Sequence, residues 1–224
     1  MLRALQWAFW VTGLGLQVLV LSAAMQGVAR EFPALFAYVV CLFGTTLADI
    51  VASQFLGKAS HSFKLYYWCA ELVRQSALFA MVVALAMHVV PPGRRNEAFT
   101  RLIALLGAAV WMGSVICCHS PNLNTWMVSV IRNLSFFTGV LNLGVWFAYA
   151  RSRIRDTRRL IIAAGLGLQM TGEAIGHAIR QLDLSMQISL TASIFIVLTH
   201  FLCLFLWWRA LTMETEVRVN TAVS

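Results

Sequence analysis

Seven apolar runs separated by short polar breaks make up almost the whole chain, near residues 6–25, 33–53, 65–89, 101–118, 126–150, 159–179 and 187–208. A helix that crosses the hydrocarbon of a bilayer needs about 20 consecutive apolar residues. Each run has close to that length, and a helix satisfies its own backbone hydrogen bonds where water is absent. The pattern therefore predicts seven transmembrane helices. Pro91-Pro92-Gly93 ends the third run, and Ser120-Pro121-Asn122 makes the turn after the fourth.

Composition removes the soluble alternatives. Hydrophobic residues are 60% of the chain and charged residues 12%, with a mean hydropathy of +0.76. With short loops, 224 residues are used up by the seven spans, which leaves no segment for a kinase, nuclease or nucleotide-binding module. The expected fold class is all-α, a polytopic membrane protein whose single domain, 1–224, is a seven-transmembrane-helix bundle. The first run ends in Ser22-Ala23-Ala24, as a signal peptide might. Its apolar part exceeds the roughly 7–15 residues of a signal-peptide core, so it is read as a span.

Charge sets the expected orientation. Arg30, Arg94, Arg95, Arg101, Arg151, Arg153, Arg155, Arg158, Arg159, Arg209 and Arg218 fall on one side of the spans, and Arg3, Lys58, Lys64 and Arg180 on the other. By the positive-inside rule the N-terminus is outside and the C-terminus cytoplasmic. This bias, rather than nucleic-acid binding, explains the net charge of +8. The block at Arg151, Arg153, Arg155, Arg158 and Arg159 is expected to meet anionic lipid, with a docking site for a cytoplasmic or membrane protein as the sharper alternative. Trp7, Trp10, Tyr66, Tyr67, Trp68 and Trp126 at the outer edge, and Trp146, Tyr149, Trp207 and Trp208 at the inner one, read as interfacial anchors.

The candidate chemistry lies in polar residues within the spans. The sixth run carries Gln169, Glu173 and His177 at four-residue spacing, hence on one helix face, with Gly172 and Gly176 beside them to admit another helix. A carboxylate in hydrocarbon costs roughly 2.5–3.5 kcal/mol on insertion scales and needs a partner or water. Counting about 1.5 Å per residue from the outer span ends puts Asp49 roughly 6 Å deep, Glu71 9 Å, Arg74 13 Å, Arg132 9 Å, Glu173 9 Å and His177 3 Å. A common level in the outer third predicts one polar network. Within it Glu71 and Arg74, three apart, pair directly, and Arg132, with Asn133 beside it, answers Glu173 or Asp49. Two roles fit: a structural latch that fixes helix register, or a pocket open to the outer face for a small polar or cationic ligand.

Other signals are weaker. Cys69 lies at the depth of Cys117-Cys118-His119; free thiols are the first reading, a disulfide from Cys69 to Cys117 or Cys118 the second, and a metal site the least supported. His88 and His200 lie about 16 Å apart in depth, too far to share a haem. Both lysines, Lys58 and Lys64, are in one outer loop, which excludes a retinal protein. Glu173 and His177 supply half of an intramembrane metal hydrolase, with Asp49 the one further ligand at that level. No cofactor or metal is expected.

Arg30-Glu31-Phe32-Pro33 leading to Phe36-Ala37-Tyr38, then Tyr66-Tyr67-Trp68 followed by Glu71, Arg132 in span five and Glu173 in span six resemble a group of uncharacterised bacterial seven-span membrane proteins over residues 7–208. The layout is also similar to the seven-span sensor regions fused to bacterial histidine kinases. The resemblance implies the seven-span architecture in the inner (plasma) membrane of a bacterium; the family carries no assigned activity, so it adds no mechanism. The expected function is a receptor-like sensor or scaffold module, with a small transporter of a polar or cationic solute as the alternative and a metal-dependent hydrolase as the second.

Overall fold

The computed structural model describes residues 2–26, 31–56, 60–89, 97–118, 123–151, 157–181 and 186–223. Among them the chain forms seven α-helices and no strand: α1 (Leu2–Met25), α2 (Pro33–Phe55), α3 (His61–Met87), α4 (Glu97–Ile116), α5 (Leu123–Arg151), α6 (Thr157–Gln181) and α7 (Met186–Val223). Six contain a stretch long and apolar enough to cross a membrane: Trp7–Met25, Pro33–Phe55, His61–Met87, Glu97–Ile116, Thr125–Arg151 and Thr191–Met213.

Helix α6 is not among those six, because Arg158, Arg159, Gln169 and Glu173 interrupt its apolar character. It is amphipathic instead. Ile162, Ala163, Leu166, Gln169 and Met170 are buried and recur at helical spacing along one stripe. Helix α7 runs about 15 residues beyond the seventh apolar run; no proline or glycine follows Gly176 to stop it.

Several helix ends carry legible signals. Pro33 opens α2 in the first turn, where its missing N–H costs nothing. Ser60 caps α3, its hydroxyl accepting a hydrogen bond from the Phe63 N–H at 3.0 Å. Glu97 sits in the first turn of α4, favourable for the helix dipole, and pairs with Arg101 one turn on. Inside the apolar helices, hydroxyls turn back to their own backbone: Thr45 and Thr46 donate to the Leu42 carbonyl in α2, and Thr138 to the Leu134 carbonyl in α5.

The chain divides into two compact units. The central unit, Phe32–Val145, is one continuous stretch holding α2, α3, α4 and most of α5. The terminal unit joins Met1–Glu31 to Trp146–Ser224 and holds α1, α6, α7 and the end of α5.

In the central unit α3 packs against both α2 and α4. Phe79, Val83 and Leu134 form a buried cluster with Met87, Ile103, Val110, Trp111 and Leu141 around it. Gly107 lets α4 come close to α3, since a Cβ there would lie 3.1 Å from a Val83 methyl. The Trp111 indole donates to the Ser76 hydroxyl at 3.0 Å across the same pair of helices.

In the terminal unit α7 is the common partner of α1 and α6. Trp207 is fully buried, donating from its indole N–H to the Ile162 carbonyl at 3.0 Å and lying over Gly165. At Gly172 and Gly176 the helices approach so closely that a Cβ would overlap Thr199 and Ile196 of α7. The close approach anticipated for these two glycines is thus made by α7. On the other side of α7, Phe201 stacks edge-on against Phe9 and closes over Gly13 of α1.

Large apolar side chains face outward on most helices, among them Val11, Leu105, Phe136 and Leu143, each 65–68% exposed. A water-facing surface rarely carries so much contiguous apolar area.

Candidate functional site: a charge clasp between α2 and α3

Asp49 lies near the C-terminal end of α2, and Glu71 and Arg74 lie on α3. The three-residue spacing puts Glu71 and Arg74 on one face of α3, turned toward α2. Arg74 sits between the two acids: Nη1 donates to Asp49 Oδ2 at 3.0 Å, and Nη2 to Glu71 Oε2 at 2.5 Å. The remaining carboxylate oxygens are also engaged. The Tyr66 hydroxyl donates to Asp49 Oδ1 at 2.9 Å, and Gln75 Nε2 donates to Glu71 Oε1 at 3.3 Å. Each of the four oxygens thus accepts one hydrogen bond from the protein.

The electrostatics follow from the count. Two carboxylates around one guanidinium leave one negative charge, spread over four oxygens that all have donors. A guanidinium suits this place because its planar fork reaches two acceptors at once and it is weakly hydrated for a cation. The Arg74, Asp49 and Glu71 side chains retain 20%, 25% and 21% of their surface. The cluster is sheltered without being sealed. Gln75 itself is buried, and among the described residues its Oε1 has no hydrogen-bond partner.

The other expected members fall elsewhere. In the terminal unit Gln169 donates from Nε2 to Glu173 Oε1 at 3.0 Å, one turn apart on α6. Gln169 is buried, and its Oε1, like that of Gln75, has no partner among the described residues. The His177 side chain lies outside the described residues. Asn133, on α5, donates to the sulfur of Cys118 at 3.2 Å.

Arg132 departs from the expectation. It is exposed, and among the described residues it makes no ion pair with Asp49, Glu71 or Glu97, the acids of its own unit. Asp49 has no need of it, because Arg74 and Tyr66 already occupy both of its oxygens. Glu173 belongs to the terminal unit and Arg132 to the central one.

Three functional contacts were not foreseen. Tyr66, read as an interfacial anchor, is a ligand of Asp49. Gln75 had a usable signal, since it follows Glu71 by one helical turn. The third is Arg158, expected at a lipid surface. Its side chain is only 13% exposed, and it donates to Glu31 Oε2 at 2.9 Å and to the Ala210 carbonyl at 3.2 Å. It therefore ties the start of α6 to the end of the α1–α2 connection and to α7, all within the terminal unit. Of its companions Arg151 is exposed and Arg159 half-buried, and Arg153 and Arg155 lie outside the described residues.

Among the described residues no three His, Cys, Asp or Glu side chains converge as a metal site would require. Comparison with protein families, with curated proteins and with solved structures returns no match.

Proposed function

We propose that this chain is a receptor-like or scaffold module of the bacterial inner membrane, crossing it seven times with the N-terminus outside and the C-terminus in the cytoplasm. Six helices have the length and apolarity for spanning. Helix α6, with 25 residues, is about 37 Å long and supplies the seventh crossing, Gln169 lying in the stripe that packs onto protein. The arginine-rich connections then lie in the cytoplasm, and the clasp occupies the outer half of the α2–α3 pair.

The single observation that carries the reading is Arg74 held between Asp49 and Glu71, with Tyr66 and Gln75 completing the set. Such a set costs desolvation and gives little net stability over apolar packing, but it allows only one register of α2 against α3. A module that presents a fixed outer hairpin to a partner has use for that. A ligand-binding role for the same cluster is supported by its residual exposure, its single negative charge and the unmatched Gln75 Oε1, all of which favour a small polar or cationic ligand with hydrogen-bond donors.

Two experiments test this. Reporter fusions or cysteine labelling in the 94–95 and 151–159 loops decide orientation, and finding either loop outside overturns it. Titrating the purified protein with choline or putrescine while following thermal unfolding separates scaffold from receptor. A rise in the midpoint that disappears in Glu71→Gln supports the ligand site, and a flat response supports the scaffold.

A further inference from the structure

We propose that Cys69 and Cys118 are a redox pair that closes a disulfide between the outer ends of α3 and α4. All five cysteines are free in this structure. The packing of α3 on α4 runs antiparallel, with Val83 against Gly107 and Ser76 against Trp111. Residues seven apart share a helix face and advance by about 10.5 Å. One such step from Ser76 leads to Cys69, and the matching step from Trp111 leads to Cys118. The Ser76–Trp111 register thus brings Cys69 level with the residues just past the end of α4, and the seven-residue step reaches Cys118 rather than Cys117.

The two thiols are also suited to exchange. Cys69 is exposed about two turns into α3, and Cys118 is partly exposed just past the end of α4. The Cys118 sulfur accepts the Asn133 amide N–H, which holds it in place; the thiolate is the nucleophile in thiol–disulfide exchange. The oxidant is a small aliphatic disulfide. The Cys118 thiolate attacks one of its sulfurs and expels the first thiolate, forming a mixed disulfide. The Cys69 thiolate then attacks the Cys118 sulfur and expels the second. The two protons lost by the cysteines end on the two leaving thiols, and the protein disulfide forms as the small one is reduced. A persistent bond rests on the orientation proposed above, which puts these ends on the oxidising side of the membrane.

The test uses the full-length protein. Membranes are quenched with acid, denatured and alkylated before and after reduction, and the disulfide is mapped by mass spectrometry of unreduced peptides. The expected result is two thiols that become alkylatable only after reduction, joined as Cys69–Cys118, kept in Cys117→Ala and lost in Cys69→Ala and Cys118→Ala. Separately, purified reduced protein is treated with oxidised glutathione, which tests the geometry without regard to sidedness. An intramolecular Cys69–Cys118 link there supports the pair. Its failure to form, or formation of Cys69–Cys117 in its place, overturns it. If the link forms in purified protein while membranes hold five free thiols, and an impermeant maleimide reaches Cys69 only after the cells are opened, the orientation has failed and the pairing stands.

Discussion

Removing the cation at the centre of the clasp is the most demanding test of its role. Arg74→Met keeps the length and apolar stem of the side chain and deletes the fork that holds Asp49 and Glu71. Hydrogen bonds to charged groups contribute about 1.5–3 kcal/mol each, so two of them set an upper range of about 3–6 kcal/mol. Two features reduce it. Tyr66 still serves Asp49 and Gln75 still serves Glu71, and the side chains are a fifth to a quarter exposed, so water replaces part of what is lost. The expected cost is about 3 kcal/mol, or at roughly 2–4 °C per kcal/mol a fall of about 6–12 °C in the unfolding midpoint. The assay is thermal unfolding in detergent, followed by tryptophan fluorescence and by the monomer fraction on gel filtration. The discriminating variant adds Asp49→Asn and Glu71→Gln to Arg74→Met. With no charge left uncompensated, this triple variant should be less destabilised than the sum of its parts by at least about 1 kcal/mol. An Arg74→Met midpoint within a degree or two of the parent, or strict additivity in the triple variant, refutes the clasp.

Other expectations address the remaining packing. Gly172→Ala should destabilise by about 1–3 kcal/mol, because its Cβ would overlap Thr199, whose own Cβ is fixed to the backbone and lies 2.6 Å from that position. Gly113→Ala, with nothing within 4 Å, is the control, and thermal unfolding should show it unchanged or slightly stabilised. Trp207→Phe should cost about 1 kcal/mol beyond any packing change through the lost bond to Ile162, again read from the unfolding midpoint. Arg158→Lys should recover only part of what Arg158→Ala loses, since an ammonium does not reproduce the guanidinium bonds to both Glu31 and Ala210; protease resistance of the terminal unit reports it.

The helices were readable because apolar runs of bilayer length leave few options, and Pro33 and Ser60 mark their starts with local chemistry. The Glu71–Arg74 pair was readable for the same reason, since a three-residue spacing on a helix is itself a distance. Gly172 and Gly176 announced a close approach but not the identity of the neighbour. Depth along the membrane axis suggested Asp49 as a partner for Arg132 but says nothing about which way a helix face points, and Asp49 is taken up by Arg74 and Tyr66 instead. Tyr66 and Arg158 were assigned to interface and lipid on composition, and the contacts they make, to Asp49 on α2 and to Glu31 and Ala210, lie outside their own helices. Arg158 and Glu31 are 127 positions apart, a separation at which no spacing rule operates. Helix α6 looked like the most conspicuous span because of its polar residues, and those same residues make it amphipathic.

The division of the chain into a continuous central unit and a split terminal one bears on how the protein is made. Everything the central unit needs is contained in Phe32–Val145, so its helices can pair as they leave the ribosome, each with one already inserted. Helix α1 is synthesised well before its partner α7, with five helices between them. Phe9 must wait for Phe201. During that interval α1 has only lipid or a chaperone to cover Gly13 and the buried Gln17, and its pairing is a long-range closure that pays its entropy late. Chains interrupted before α7 should therefore retain a protease-resistant central unit and lose α1 and α6 to the quality-control machinery of the membrane.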